Sequence, residues 1–192
     1  MTNQGVDKAM SLQLEVAMVE WAKLVGVVRG APSAQVQETL GLLVDRWQST
    51  LRIAGVIAEG HGLPDRACSA GYFRIIGSGE RFPIFQDQGP GSVSCHIEGS
   101  GALTAAQAVQ RDIAAGCDLV VLNKFGKLEA AGEGLRDAFN AAIEAHIPIL
   151  TSVSPALDEP WTRFAGSLSA YLPADPQRIE EWWQAAKERA SQ

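Results

Sequence analysis

Short apolar runs rich in β-branched residues recur along this chain, and they constrain its fold more than any other feature. The strongest run is Asp118-Leu119-Val120-Val121-Leu122, and comparable runs occupy residues 24–28, 53–58 and 147–153. Continuous apolar runs of this length are typical of strands that are buried on both faces of a parallel sheet. The sequence therefore predicts a central sheet with at least these four strands.

Helical periodicity fills the intervals between these runs. Apolar residues spaced by three and four positions predict helices at residues 33–47, 103–115 and 135–145. Ser33 and Thr104 are suited to be the N-caps of the first two helices. Strands that alternate with helices in this order predict an α/β fold with three layers, in which helices cover both faces of a mostly parallel sheet.

Three further elements complete the predicted fold. Residues 71–76 and 81–85 flank the turn Gly77-Ser78-Gly79-Glu80, which is typical of an inserted β-hairpin. We also expect short strands at residues 94–97 and 170–172, and a last helix from Pro176 to Ala190. On that helix Trp182 and Trp183 are predicted to cover the sheet as core residues, with stacking on a ligand as the alternative.

Length and charge limit the organisation of the chain and its partners. The 192 residues fit one domain at residues 22–192, preceded by an N-terminal extension at residues 1–21 with a short helix. The formal charge is −6 and no basic stripe is visible, so a nucleic-acid partner is not expected. No apolar run approaches the roughly 18 to 20 residues of a membrane span, and the start of the chain does not resemble a signal peptide. We expect a cytoplasmic protein with no membrane partner.

Cysteine and histidine spacing gives no sign of a metal site. The three cysteines are widely and unevenly spaced, so neither a disulfide framework nor a zinc ribbon is indicated. Cys95 and His96 are adjacent, and in an extended segment they point to opposite faces. His61 and His146 have no companion at ligand spacing. We predict no metal site, and we expect two of the cysteines in the core, Cys68 and Cys117.

The loop after the first strand is the first candidate site. In open parallel sheets, ligands bind in the crevice beyond the carboxyl ends of the strands. The loop there lacks the second glycine and the Lys-Ser/Thr pair of a phosphate-binding GxxxxGK[ST] loop. Free backbone N–H groups at the start of the next helix still favour an anion. We predict that Gly30, Ala31 and Ser33 contribute to a weak anion site, although a simple turn is an equal alternative.

The segment Asn123-Lys124-Phe125-Gly126-Lys127-Leu128-Glu129 is the best candidate for the functional centre, because it is predicted to lie just past the strongest strand. A nucleoside-triphosphatase ends this strand with an acidic residue that holds Mg²⁺. Here Asn123 and Lys124 occupy those positions, and a lysine favours an anion over a hydrated cation. We predict that Lys124 and Lys127, around Gly126 and close to Glu129, bind an oxyanion or phosphate. The alternative is a solvated turn in which Lys124 pairs with Glu129.

A turn-rich loop at residues 86–92 is expected to reach the same crevice. Gly89 and Gly91 would allow the backbone to approach a ligand closely, and Asp87 offers a carboxylate beside Gln86. A purely structural turn is the alternative. These four residues therefore join the ligand-binding candidates.

Three stretches carry a resemblance to a known family: QDQGPGSVSC at residues 86–95, DLVVLNKFGKLEAAGEGLR at 118–136 and IPILTSV at 147–153. On these residues the chain resembles the bacterial domain family of unknown function DUF2478. That family is similar to the THEP1-type nucleoside-triphosphatases of the P-loop superfamily. The resemblance covers residues 24–172 and implies a P-loop NTPase-like fold. It also adds Arg136, at the end of the second stretch, to the ligand-binding candidates.

This sequence departs from the THEP1 pattern at two places. THEP1-like enzymes have a complete phosphate loop and an acidic DEIG-type motif, and both are missing here. We therefore expect a non-hydrolytic protein with degenerate Walker A and Walker B motifs that binds a nucleotide or an oxyanion. Molybdate is one such oxyanion, because members of the family are sometimes named in connection with molybdenum transport.

Two alternatives remain open from the sequence. The first is a divergent nucleoside-triphosphate phosphohydrolase with Mg²⁺ as cofactor, in which Asp87 and Glu129 replace the missing acids as catalytic residues. The second is a scaffold that forms a homo-oligomer through the helix that carries Trp182 and Trp183.

Overall fold

A seven-stranded sheet forms the centre of the structure, a computed structural model that describes residues 23–62, 70–84 and 99–190. Its strands are β1 (Val25–Arg29), β2 (Ile53–Gly60), β3 (Ala70–Ile75), β4 (Arg81–Pro83), β5 (Leu119–Phe125), β6 (Ile149–Val153) and β7 (Ser169–Pro173). They lie in the order β4-β3-β2-β5-β6-β1-β7. The five strands from β2 to β7 in this order are parallel, whereas β3 and β4 form an antiparallel hairpin at one edge. The predicted sheet and its inserted hairpin are confirmed.

Helices cover both faces of the sheet. They are α1 (Ser33–Trp47), α2 (Gly99–Ala114), α3 (Lys127–Ala130), α4 (Arg136–Glu144), α5 (Asp158–Ala165) and α6 (Pro176–Ala190), with single 3₁₀ turns at Pro155–Leu157 and Gly166–Leu168. The apolar residues of α1 and α6 pack against one face, and those of α2, α4 and α5 pack against the other. This is the expected three-layer α/β fold of the P-loop NTPase-like type.

The two predicted N-caps are wrong. Pro32 occupies the N-cap position of α1, so that Ser33 is the first helical residue, and no side chain caps this helix. Thr104 lies inside α2, where its hydroxyl donates to the carbonyl of Ser100 at 2.9 Å. A threonine in this position bonds the preceding turn of its own helix, which is compatible with a helix interior.

The prediction that Trp182 and Trp183 are core residues is confirmed, because their exposed fractions are 0% and 2%. The indole nitrogen of Trp182 donates to the carbonyl of Lys23 at 3.0 Å. Its ring lies directly over Gly26 of β1, where a Cβ atom would be only 2.9 Å from the ring carbons. Both indole rings are thus engaged within the domain, against α1 and β1.

Several predictions fall outside the described residues. They concern the extension at residues 1–21, the strand at 94–97, and the individual residues Cys68, Gln86, Asp87, Gly89, Gly91, Cys95 and His96. Cys117 is half-buried rather than fully in the core, and this burial raises the pKa of its thiol. No helix in residues 23–62, 70–84 or 99–190 combines the length and hydropathy that crossing a membrane requires.

Candidate functional site

The path of the chain opens a crevice between the carboxyl ends of β1 and β6. From β1 the chain passes over one face through α1 and continues to β2, beyond β6 and β5. From β6 it passes over the other face through α5 and continues to β7, on the far side of β1. Neighbouring strands whose connections leave in opposite directions form a topological switch point, where open α/β sheets bind their ligands.

A cavity of about 520 Å³ lies at this switch point. It is lined by Val28, Arg29, Gly30, Ala31, Pro32, Ser33, Val36, Lys124, Ser152, Val153, Ser154 and Pro155. Its volume is within the range of about 300 to 1,000 Å³ that is usual for small-molecule sites. The structure therefore brings together four of the predicted residues, namely Gly30, Ala31, Ser33 and Lys124.

Lys124 reaches this cavity because β5 contains a bulge. The prediction that Asn123 and Lys124 lie past the end of the strand is wrong, since β5 continues to Phe125. Opposite β6, Leu122 pairs with Thr151 and Phe125 pairs with Val153, so three steps along β5 match two along β6. The extra residue shifts the alternation of side chains. Phe125 therefore packs on the same face as Leu122, and Lys124 lines the crevice.

The bulge is held by polar side chains from two other elements. The carbonyl oxygen of Asn123 accepts hydrogen bonds from Gln37 Nε2 of α1 at 3.2 Å and from Ser152 Oγ of β6 at 3.0 Å. The side-chain oxygen of Asn123 accepts the backbone N–H of Ala58 in β2 at 3.1 Å. Asn123 thus joins three neighbouring elements, and these contacts set its position next to Lys124.

The charged residues that line the cavity are positive. Arg29 and Lys124 are part of its lining, and none of the described residues that line it is acidic. The first turn of α1 also has no acidic residue, so its free N–H groups add a partial positive charge. Gly30 has a φ of +87°, a conformation that favours glycine and turns the chain from β1 into α1.

Glu129 lies away from the cavity and serves the local backbone. Its exposed fraction is 5%, and its two carboxylate oxygens accept the N–H groups of Gly126 at 2.7 Å and Leu135 at 2.9 Å. A Cβ atom at Gly134, where φ is +61°, would collide with this carboxylate. Glu129 is therefore a buried capping residue of α3, and the alternative of a solvated turn with a Lys124–Glu129 pair does not describe this loop.

The remaining candidates of this segment also lie outside the cavity lining. Arg136 donates to the carbonyl of Glu129 at 2.9 Å, and its guanidinium carbon lies 4.4 Å from the ring centroid of Phe164. Lys127 is exposed at the start of α3, next to its N-cap Gly126. The ligand-binding roles of Gly126, Lys127, Glu129 and Arg136 remain predictions.

The structure adds residues to the site that the sequence did not single out. They are Arg29, Gln37, Ser152, Ser154 and Pro155. The sequence contains a signal for Ser152 alone, because Thr151 and Ser152 are polar residues inside an otherwise apolar strand. In the described part of the chain, no group of three or more His, Cys, Asp or Glu residues is arranged to hold a metal ion.

The fold and the switch-point cavity define a P-loop NTPase-like α/β protein with a cationic crevice. The chain belongs to the family DUF2478, described as a protein of unknown function, which matches residues 25–182. A curated relative, the molybdenum import ATP-binding protein ModC 2 of Bradyrhizobium diazoefficiens, is 38% identical over 143 residues, or 72% of this chain. The chain spans only 15% of the length of that relative. No solved structure matches this chain.

Proposed function

We propose that this protein binds a phosphate or another oxyanion, free or as part of a nucleotide, in the switch-point cavity without hydrolysing it. The observation that carries the proposal is the charge of the cavity. Arg29, Lys124 and the N-terminus of α1 converge on it, and none of its described lining residues is acidic. A multiply charged anion would meet all three.

The strength of this site would come mainly from the lysine. A helix N-terminus favours an anion by about 0.3 to 1 kcal/mol. A hydrogen bond to a charged group contributes about 1.5 to 3 kcal/mol, which is roughly tenfold or more in Kd. Lys124 would therefore dominate the affinity, and Gly30, Ala31 and Ser33 would orient the ligand through their backbone.

Binding without hydrolysis is favoured by the groups around Lys124. Magnesium-dependent hydrolysis of a nucleoside triphosphate needs oxygen ligands for the metal beside the phosphates. Near the carboxyl end of β5, where such a ligand would lie, the side-chain oxygen of Asn123 accepts a hydrogen bond from the N–H of Ala58. The carboxylate of Glu129 is bonded to two backbone N–H groups. The phosphohydrolase alternative would therefore depend on Asp87, outside the described residues.

The curated relative is named for molybdenum import and ATP binding, and this name suggests which ligands the cavity would bind. The name describes the whole relative, and the part that this chain matches is 15% of its length. An identity of 38% over most of this chain supports the proposal that the domain serves the handling of molybdenum. Molybdate and nucleotides are accordingly the ligands to test first.

Isothermal titration calorimetry with pyrophosphate, ADP and molybdate tests the proposal. We expect Lys124→Ala to weaken binding by about tenfold or more, because a charged partner of the anion is lost. Lys127→Ala is the matched control, since Lys127 is exposed three residues away and does not line the cavity. We expect it to change Kd by less than about twofold, the size of a weak surface-charge effect.

Two outcomes would contradict the proposal. Equal losses in the two lysine variants would place the ligand on the α3 loop instead of in the cavity. Release of phosphate from ATP or GTP with Mg²⁺, abolished by Asp87→Asn in a variant that remains folded, would establish the phosphohydrolase alternative.

A further inference from the structure

We propose that the ligand is a nucleoside phosphate whose base stacks on Arg29, which lines the cavity, and on Tyr171 beside it. This inference rests on the proposed function, because the phosphates would occupy the anion site at Lys124 and the start of α1. It adds a second subsite and selects nucleotides over bare oxyanions.

Arg29 and Tyr171 form a stacked pair at the carboxyl edge of the sheet. The guanidinium carbon of Arg29, the last residue of β1, lies 3.7 Å from the ring centroid of Tyr171 in β7. The same guanidinium group lies 3.8 Å from a carboxylate oxygen of Asp158, at the start of α5. The tyrosine ring supports the face of this group, and the aspartate lies beside it.

This pair remains open to a ligand. Arg29 lines the cavity and its side chain is 43% exposed. Tyr171 is one of the few large hydrophobic residues in the described part of the chain that stay exposed, at 38%. Guanidinium groups and aromatic rings both stack on nucleobases, with little dependence on the base. A planar cation that already rests on an aromatic ring is therefore a suitable platform for a base.

The spacing of the two strands that carry the cations of the cavity also favours a nucleotide. Arg29 belongs to β1 and Lys124 to β5, and β6 lies between them. Two strand spacings separate these strands by about 10 Å. A nucleotide is longer than a tetrahedral oxyanion and can place its phosphates near Lys124 and its base near Arg29. The volume of about 520 Å³ is adequate for a ligand of this size.

Calorimetric titrations that compare nucleoside diphosphates with pyrophosphate test this inference. In the unmodified protein we expect the best of ADP, GDP, CDP and UDP to bind about tenfold or more tighter than pyrophosphate, the contribution of one stacked base. Tyr171→Leu should remove this difference and leave the Kd of pyrophosphate nearly unchanged. Tyr171→Phe should retain it, because the aromatic face is kept.

Tyr72→Leu is the matched control, because Tyr72 is equally exposed, at 41%, but lies in β3 near the opposite edge of the sheet. It should leave both affinities unchanged. Equal Kd values for pyrophosphate and all four nucleotides, with continued dependence on Lys124, would overturn the stacking inference and leave the proposed function intact. Equal weakening of both ligand types in Tyr171→Leu would show a structural role and also overturn it. Absence of binding by both ligand types and by molybdate would overturn both proposals.

Discussion

At the scale of single residues, the position of Lys124 depends on groups that do not touch the ligand. The bulge that turns this lysine into the crevice leaves the carbonyl of Asn123 outside the regular pairing of β5 with β6. Gln37 and Ser152 supply the missing hydrogen bonds, and Gln37 Nε2 also lies 3.3 Å from Ser152 Oγ. A carbonyl left without partners here would favour a regular strand, in which the lysine faces the other side of the sheet.

We therefore expect Gln37→Leu to reduce both stability and anion binding. It removes two hydrogen bonds and should lower the free energy of unfolding by about 1 to 3 kcal/mol. It should also weaken pyrophosphate binding, because the bulge is no longer fixed. Urea unfolding and calorimetry measure the two effects. Gln35→Leu, at an exposed position of the same helix, is the control, and a variant at Gln37 that loses stability but keeps its full affinity would refute the positioning role.

At the scale of elements, the carboxyl end of α4 is fixed by backbone geometry instead of a capping side chain. Helix α4 ends in a Schellman motif, in which the N–H of His146 donates to Ile143 and the N–H of Ile147 donates to Ala142. This motif requires a left-handed residue, and His146 adopts it with a φ of +55°. Glycine is favoured at such a position because it has no Cβ atom to create strain.

His146→Gly should accordingly stabilise the protein by about 0.5 to 1 kcal/mol, measured by urea unfolding. Its control is Ala145→Gly, at the preceding residue, which has an ordinary helical φ of −79°. There glycine adds flexibility to the unfolded chain without relieving strain, so we expect a loss of about 0.5 to 1 kcal/mol. Effects of the same sign at both positions would contradict this account of the helix end.

At the scale of the whole molecule, α6 belongs to the core of the domain. Trp182 and Trp183 are buried against β1 and α1, and Trp47 Nε1 and Arg46 both contact Glu180 of α6, at 2.9 Å and 2.6 Å. Truncation before Pro176 would expose this face of the sheet. A change in oligomeric state after such a truncation would thus report unfolding, and it could not by itself support the scaffold alternative.

Trp182→Ala is expected to lower the free energy of unfolding by about 3 to 5 kcal/mol, the usual cost of removing a large buried aromatic side chain. Gln184→Ala, on the exposed side of the same helix, should change it by less than about 0.5 kcal/mol. Thermal or urea unfolding of the two variants provides the comparison. A small effect at Trp182, with loss of a dimer in size-exclusion chromatography, would favour an interface instead.

The sequence by itself determined the elements and the edge of the sheet at which a ligand would bind. Buried parallel strands are apolar along their whole length, and the apolar residues of helices recur every three to four positions. Each type of element can therefore be recognised from a short stretch of sequence. The missing lysine and hydroxyl of the first loop are equally visible. The sequence therefore indicates an α/β fold with an unusual crevice.

Only the tertiary structure decided which residues face that crevice. In a regular strand, Lys124 would share a face with Leu122. Here Lys124 points to the opposite face, because β5 has one more residue than β6 between two paired positions. The partners that hold it are distant in sequence, since Gln37 is 86 residues from Asn123. Glu129, by contrast, turned out to cap the backbone next to it. Side-chain direction at a bulge is set by long-range pairing, and local patterns do not contain that information.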